Sequence, residues 1–269
     1  MPEEYLKNCP LLRDTSFMNL MVRRICNVLI IANPYDAFML EDDGRVDEKI
    51  FDEYAKLGLR YPPRFFQVAS AREADEELQN TSFDLVICMP GAEDNDVFDI
   101  ARSIKERFRE IPLVVLTPFS HGITRRMENE DLSIFEYVFC WLGNTDLLIS
   151  IIKLIEDKMN LEHDVNEAGV QMILLVEDSI RYYSSILPYL YRFVLRQSLE
   201  FATEALNSQL EMLRMRGRPK IVLARNYEEA WELYTRYKDQ TLGVISDCRF
   251  PRGGVTDELA GFDLLSAMR

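Results

Sequence analysis

The sequence predicts two α/β domains in tandem, each built around a doubly wound parallel sheet. Apolar segments typical of buried strands alternate with amphipathic helical segments along most of the 269 residues. The alternation starts again after residue 171. In addition, VASAREADEELQNTSFDLVICMP in the first half corresponds, element by element, to VLARNYEEAWELYTRYKDQTLGVISDC in the second. An internal repeat of this length indicates two copies of one fold.

Composition limits the class of protein. Hydrophobic residues make up 48% of the chain, so two domains of ordinary size can each bury a core. No apolar run approaches the roughly 20 residues of a membrane span, and the N-terminus lacks the apolar stretch of a signal peptide. These two observations predict a cytoplasmic protein. The net charge of −14 argues against nucleic-acid binding.

Several common kinds of site are disfavoured by the motifs that the sequence lacks. The five cysteines are scattered without a C-x-x-C pair, and the two histidines have no second ligand at zinc spacing. A zinc site and a histidine-based triad are therefore not expected. No glycine-rich phosphate-binding motif follows a predicted strand, which argues against a dinucleotide or P-loop site.

The first half divides into a lead-in, residues 1–26, which contains a short predicted helix, and a domain over residues 27–160. The domain has five predicted strands: NVLIIANP, RFFQVAS, FDLVICMP, IPLVVLTPF and FEYVFCWL. Its predicted helices are IFDEYAKLGL, AREADEELQN, AEDNDVFDIARSIKERF and TDLLISIIKLIEDKMN. Ser70, followed by Glu73, has the spacing of a capping box and marks the start of the second helix.

Residues 161–171 are polar and predict a linker, after which the second domain covers residues 172–269. Its predicted strands are MILLVEDS, PKIVLAR and TLGVISD. Asn226 caps the helix NYEEAWELYTRYKD, and ELAGFDLLSAMR forms the last helix. Between the first two strands lies a long helical insertion, residues 180–216.

The long helix 180–216 carries an apolar repeat at spacings of four and three residues. Such a coiled-coil-like seam predicts a homodimer through this helix, whereas packing on the helix's own sheet or on the first domain is the alternative. The members of the seam are Leu195, Leu199, Ala202, Leu206, Leu210 and Leu213.

Three carboxylates follow strands of the second domain. Glu177 and Asp178 end its first strand, and Asp247 ends its third. In a flavodoxin-like strand order these two strand ends are neighbours, at the crevice where such sheets bind ligands. Three carboxylates this close cannot all ionise without a counter-ion, and Mg²⁺ prefers oxygen ligands of this kind. With Mg²⁺ bound, a carboxylate such as Asp247 can attack a phosphoryl donor.

The segments LLVEDS, VISDCRFPRGG and DELAGFDLLSAMR together resemble the front part of a bacterial response-regulator receiver domain, over residues 172–269. The resemblance implies that Glu177 and Asp178 are the metal pair and that Asp247 is the phosphoacceptor. The backbone carbonyl of Cys248 would be a further metal ligand. It also implies a histidine kinase or another phosphodonor as a partner.

The second domain departs from the receiver pattern at its C-terminal end. A receiver has a fourth strand ending in Thr or Ser and a fifth ending in Lys, and these residues contact the phosphoryl group. The last predicted helix, ELAGFDLLSAMR, already reaches Arg269, so residues 172–269 contain neither strand. We therefore expect the second receiver-like domain to be incomplete, truncated after its third helix.

The first domain resembles a receiver that has lost its chemistry. By position, Asn33 and Pro34 replace the acidic pair, Met89 replaces the phosphoacceptor, Thr117 keeps the hydroxyl and Cys140 or Trp141 stands in place of the lysine. Methionine cannot accept a phosphoryl group, so the resemblance implies a pseudo-receiver.

The first domain has further acidic residues near the end of its first predicted strand. Asp36 and the acidic run at 41–43 are expected in a solvated loop, with a displaced acidic site as the alternative.

The whole chain also resembles the N-terminal part of large bacterial proteins of the phosphoenolpyruvate synthase and pyruvate phosphate dikinase-like family. The resemblance rests on segments such as LLRDTSFMNLMVRRICNVLIIANPYDAFMLEDDGR, ICMPG and LTPFS. It implies a regulatory module that precedes phosphotransferase domains of its own longer chain. These residues contain no ATP-binding or catalytic-histidine motif, so we expect no enzyme activity from them. A purely structural interaction module with a relic acidic site is the alternative.

Overall fold

The computed structural model describes residues 19–41, 45–91, 96–118, 131–203 and 214–268. These residues form two compact units. The inserted unit comprises Arg24–Ile152, and the split unit comprises the described residues up to Arg23 together with those from Lys153 onwards. No helix within these ranges is both long and apolar enough to cross a membrane.

The inserted unit contains a five-stranded parallel sheet in the order β2-β1-β3-β4-β5. The order reverses beside β1, which is the arrangement of a flavodoxin-like sheet. Every residue of β3 is buried, as expected for a strand covered on both faces. The strands are β1 Asn27–Ala32, β2 Arg64–Val68, β3 Leu85–Met89, β4 Leu113–Pro118 and β5 Tyr137–Trp141.

The helices of the inserted unit follow the predicted segments, with one addition. They are α1 Pro34–Glu41, α2 Val46–Lys56, α3 Ala71–Asn80, α4 Asp96–Arg107 and the first part of α5 Asp146–Ala168. The additional helix is α1. Asn33 caps it by accepting a hydrogen bond from the Asp36 N–H at 2.8 Å, and Pro34 occupies the first helical position, where its missing N–H costs nothing.

The predicted linker, residues 161–171, is mostly helical, because α5 continues to Ala168. Asp164 lies in this stretch and is fully buried. The polar composition of residues 161–171 therefore does not mean that the whole segment is exposed to solvent. Gly169 has a positive φ of 62° and ends the helix by donating its N–H to the Val165 carbonyl at 2.8 Å. The boundary between the compact units falls earlier, after Ile152.

The split unit has a three-stranded parallel sheet in the order β7-β6-β8, which repeats the order β2-β1-β3 of the inserted unit. The strands are β6 Met172–Val176, β7 Lys220–Ala224 and β8 Thr241–Ser246, and the helices are α6 Ile180–Thr203, α7 Tyr227–Arg236 and α8 Ala260–Ala267. The prediction of two flavodoxin-like, doubly wound sheets in tandem is confirmed.

A short antiparallel hairpin, which the sequence analysis did not predict, joins β8 to α8. Its strands are β9 Phe250–Arg252 and β10 Val255–Asp257. Gly253 and Gly254 form the two-residue loop with φ values of 60° and 79°. Two consecutive positive φ values are what a type I′ hairpin turn requires, and glycine adopts them without steric cost.

A buried ion pair connects three segments of the split unit. The carboxylate of Asp157, on α5, accepts two hydrogen bonds from the Arg218 guanidinium, at 2.7 and 2.9 Å. It also accepts one from the Tyr191 hydroxyl on α6 and one from the Ile221 N–H on β7, both at 3.0 Å. Burial disfavours the charged guanidinium, but the negative charge of Asp157 and its hydrogen bonds outweigh this and raise the pKa of Arg218.

The same helix holds the first described residues of the chain. The Met21 N–H donates to the buried Asp164 carboxylate at 3.1 Å. The Asn160 side chain accepts from the Arg23 N–H at 2.9 Å and donates to the Arg23 carbonyl at 2.7 Å. Lys220 of β7 pairs with Asp164 at 2.8 Å, and both side chains are fully buried. Residues 19–26 contain no helix.

The predicted dimer seam on α6 is largely buried within its own chain. Leu195 and Ala202 have no exposed surface, and Leu199 is half-buried. The other three predicted seam residues, at 206, 210 and 213, lie outside the described ranges. The described part of this seam therefore mainly follows the alternative, packing within the chain.

Candidate metal centre

Three carboxylates meet at the carboxyl edge of the split unit's sheet. Val176, the last residue of β6, is paired in register with Ser246, the last residue of β8. Glu177 and Asp178 follow the first strand, and Asp247 follows the second. One oxygen atom of each carboxylate lies within 4.8 Å of the others. The structure thus brings together the three acidic residues that the sequence analysis selected.

Backbone hydrogen bonds fix the positions of these acids. The Glu177 N–H donates to the Ala224 carbonyl at 3.0 Å, and the Asp247 N–H donates to the Val176 carbonyl at 2.9 Å. Both residues therefore extend the parallel ladder by one position. The Glu177 carboxylate also accepts a hydrogen bond from the Ser179 N–H at 3.0 Å. The ends of the strands therefore determine where Glu177 and Asp247 lie.

The surroundings of the acids disfavour their negative charge. Glu177 is buried, Asp178 is half-buried and Asp247 is exposed. Burial raises the pKa of Glu177, and the neighbouring charges of Asp247 and Asp178 raise it further, although the Ser179 N–H opposes the shift. Burial and the charge of Asp247 likewise raise the pKa of Asp178, against the opposing charge of Arg249. A hard cation with oxygen ligands would relieve this repulsion.

The N-terminus of α8 lies directly against the site. The Gly261 N–H donates to the Cys248 carbonyl at 3.0 Å. A Cβ atom at Gly261 would lie 2.0 Å from the Asp247 carbonyl oxygen, so only glycine allows this approach. The Cys248 carbonyl was expected to bind the metal. The Cys248 carbonyl already accepts the hydrogen bond from the Gly261 N–H, so it would bind the ion through its second lone pair.

Gly261 is a positioning residue that the sequence analysis did not assign to the site. The signal was present, since the glycine lies in the first turn of the last predicted helix, ELAGFDLLSAMR. A short glycine-aliphatic pattern occurs in many helices, however. Only the distance to Asp247 shows that this position has no room for a side chain.

The corresponding edge of the inserted unit has no acids at the matching positions. Asn33 follows β1 and caps α1, which Pro34 begins. Met89 ends β3 and pairs in register with Ala32, and Thr117 on β4 pairs with Cys140 on β5. Met89, Thr117 and Cys140 are all buried.

Asp36 differs from expectation. It was predicted in a solvated loop, but it lies in the first turn of α1 and is 5% exposed. The remaining acidic run was also predicted as solvated loop, yet its first residue, Glu41, ends α1, and positions 42 and 43 lie outside the described residues.

We expect that Glu177→Gln stabilises the metal-free protein at pH 7, by roughly 2–4 °C in Tm. A carboxyl whose pKa is raised on folding stabilises the fold only below its unfolded-state pKa, and that contribution is lost as pH rises through the folded-state pKa. The stability gained by the variant should therefore shrink as the pH falls through the unfolded-state pKa of a glutamate, about 4.3, because Glu177 then becomes protonated in both states.

Thermal denaturation in EDTA between about pH 4 and pH 8 measures this effect. Glu106→Gln, at an exposed position on α4, is the matched control and should leave the melting curve unchanged. A Glu177→Gln protein that melts below the wild type at pH 7 would show that the crowded charges do not strain the fold.

Comparisons with known proteins add one structural similarity. No protein-family model matches the sequence, and no curated protein matches it. Among solved structures, the chain is similar to the signal receiver domain of an HD domain-containing protein from Pseudomonas fluorescens Pf-5. The identity is 16%, and the match covers 54% of this chain and all of that domain, with a TM-score of 0.32.

Proposed function

We propose that this chain is a signal-receiving regulatory module whose split unit binds Mg²⁺ and accepts a phosphoryl group on Asp247. The proposal rests on one observation: oxygen atoms of Glu177, Asp178 and Asp247 lie within 4.8 Å of one another at the carboxyl ends of β6 and β8. This is the crevice where flavodoxin-like sheets hold their ligands, and the donor set is all oxygen, as Mg²⁺ prefers.

The three acids would have different roles. Glu177 and Asp178, the less exposed pair, would hold the cation together with Asp247, and the Cys248 carbonyl would be a fourth ligand. Bound Mg²⁺ would supply charge neutralisation for the transferring group. Asp247 is the most exposed of the three, so a donor can approach it. Its carboxylate oxygen would attack the phosphorus of a phosphohistidine or acyl phosphate, and the bond to the donor would break as the donor leaves with the electron pair.

The inserted unit would contribute a surface for interaction. At the positions of the acidic pair and the phosphoacceptor it has Asn33, Pro34 and Met89, and none of these can accept a phosphoryl group. Sequence resemblance supports placing the chain in the cytoplasm, at the N-terminal end of a larger phosphoenolpyruvate synthase-like protein. In that setting the chain would regulate phosphotransferase domains and catalyse no reaction of its own.

Incubation of the chain with acetyl phosphate and Mg²⁺, followed by intact-mass measurement, tests the proposal. We expect a mass gain of one phosphoryl group that depends on Mg²⁺ and is absent from Asp247→Asn. Asp239→Asn, which removes an exposed aspartate before β8, is the matched control and should be modified like the wild type. Beryllofluoride should protect the wild-type protein from thermal unfolding and leave Asp247→Asn unaffected.

A second candidate is an interaction module with a relic acidic site. The observation that favours it is the inserted unit, which has the same strand order but carries Asn33, Pro34 and Met89 at the positions of the three acids. Mg²⁺ binding without any adduct on Asp247 would favour this reading, and the absence of both would remove the metal proposal as well.

A further inference from the structure

The outward face of α6 carries an apolar stripe that does not belong to the proposed metal site. Tyr182, Tyr189 and Phe193 are 61%, 76% and 65% exposed, and Ile186 between them is half-buried. At 100° per residue these four side chains lie within a narrow sector of the helix, opposite the buried residues Tyr191 and Leu195. We call these four residues the outer stripe.

The outer stripe exposes enough apolar surface to form a binding site. Aromatic side chains contribute roughly 200 Å² each, so the three aromatic residues expose about 400 Å² per chain. The largest apolar patch on a typical monomer is of about this size, roughly 300–600 Å², and such a patch is often a binding site. Two such stripes facing each other would bury about 800 Å² before Ile186 and the flanking residues are counted, close to the roughly 1,000 Å² at which specific interfaces begin.

The spacing of the outer stripe identifies the geometry of the partner. Residues 182, 186, 189 and 193 are separated by four, three and four positions, which is the a/d repeat of a coiled coil. In an antiparallel pair of such helices each a position faces a d position. A two-fold axis passing between residues 187 and 188 therefore places Tyr182 opposite Phe193 of the second copy, and Ile186 opposite Tyr189. All four layers are then apolar, so the stripe is complementary to itself.

Charge selects the antiparallel orientation. The next two positions of the repeat are Arg196 and Glu200. In a parallel pair, Arg196 would face Arg196 of the second copy and Glu200 would face Glu200, so both layers would repel. In the antiparallel pair, Arg196 falls opposite the uncharged Ser179 of the second copy. The antiparallel contact thus avoids the repulsion between like charges.

We propose that the chain forms a two-fold symmetric dimer through the outer stripe, with the two α6 helices antiparallel. This dimer uses the face of α6 opposite the seam predicted from the leucine repeat, because Leu195 and Ala202 of that seam are fully buried. The inference stands independently of phosphorylation at Asp247. The small contact area implies a dimer that dissociates in the micromolar range.

Sedimentation equilibrium of the full chain from about 1 µM to about 500 µM tests the proposal, since an interface of this size dissociates in that range. We expect the mass to rise from one chain toward two. Tyr189→Glu and Phe193→Glu should each raise the dissociation constant at least about tenfold, because each buries a charge in an apolar layer. Phe262→Glu, at an aromatic residue of α8 that is 69% exposed, is the matched control and should dimerise like the wild type.

Disulfide trapping tests the orientation. The flanking residues Ser185 and Arg192 lie opposite each other across the antiparallel contact and apart in a parallel one. In a background with Cys9, Cys26 and Cys248 changed to Ser, mixing Ser185→Cys and Arg192→Cys chains should give disulfide-linked dimers, whereas each variant alone should give far fewer. If the measured mass stays that of one chain up to the highest concentration, the dimer proposal is wrong. The outer stripe would then be a binding surface for a different protein. Dimers that survive Tyr189→Glu, or that cross-link in the parallel pattern, also overturn the proposal.

Discussion

Asp157→Ala is expected to destabilise the protein by about 3–5 kcal/mol, which is the cost of leaving one member of a buried ion pair without its partner. The Arg218 guanidinium would remain buried without the carboxylate that it hydrogen-bonds, and the Tyr191 hydroxyl and the Ile221 N–H would lose their acceptor. Chemical denaturation followed by circular dichroism measures the loss as a lower midpoint.

Two further variants make this result specific. Glu76→Ala removes a carboxylate that also pairs with an arginine on a helix, but both side chains are mostly exposed, so we expect a change within about 0.5 kcal/mol. Adding Arg218→Met to Asp157→Ala should recover part of the loss, because no unpaired charge then remains buried. Losses that simply add in the double variant would mean that the two residues do not act as a pair.

Gly261→Ala is expected to displace α8 from the candidate metal centre and to weaken Mg²⁺ binding by about 10- to 100-fold, as loss of a supporting contact typically does. The new methyl group would lie 2.0 Å from the Asp247 carbonyl oxygen and 3.0 Å from the Cys248 Cα. Backbone atoms cannot rotate out of the way, so the helix or the Asp247–Cys248 peptide has to move. Overpacking of this kind costs about 1–3 kcal/mol in stability.

Calorimetric titration with Mg²⁺ and thermal denaturation measure the two consequences. Gly243→Ala is the matched control, because Gly243 lies on β8, before Asp247, with no atom within 4 Å of the added methyl group. We expect that variant to bind Mg²⁺ normally. If Gly261→Ala binds Mg²⁺ as tightly as the wild type, α8 does not hold the site in place.

The strands and the acidic site could be predicted because both depend on local signals. Runs such as ILLV at 173–176 have few alternatives to a buried strand when helices flank them on both sides. Parallel strands bring their carboxyl ends to one edge, so the placement of Glu177 and Asp247 followed from the strand order alone. No measurement of distance was needed to expect these acids together.

Other features could not be predicted, because they depend on partners that are remote in sequence. Asp157 and Arg218 are 61 residues apart, and on an amphipathic helix an aspartate reads as part of the solvated face. The leucine repeat on α6 has the spacing of a dimer seam and of a buried helix face alike, and only the fold distinguishes them. The hairpin was missed because its three-residue strands are too short to show alternation, although the Gly253–Gly254 pair was a usable signal.

The attachment of Met21 and Arg23 to helix α5 has a consequence for synthesis on the ribosome. The chain contributes these residues to the split unit, then completes all of Arg24–Ile152 before Asn160 and Asp164 are translated. The inserted unit can therefore fold during translation, before the hydrogen-bond acceptors of Met21 and Arg23 have been synthesised. A fragment starting at β6 would lack Met21, Arg23 and Asp157, which all belong to the split unit. A single cut in the polypeptide therefore cannot separate the two units.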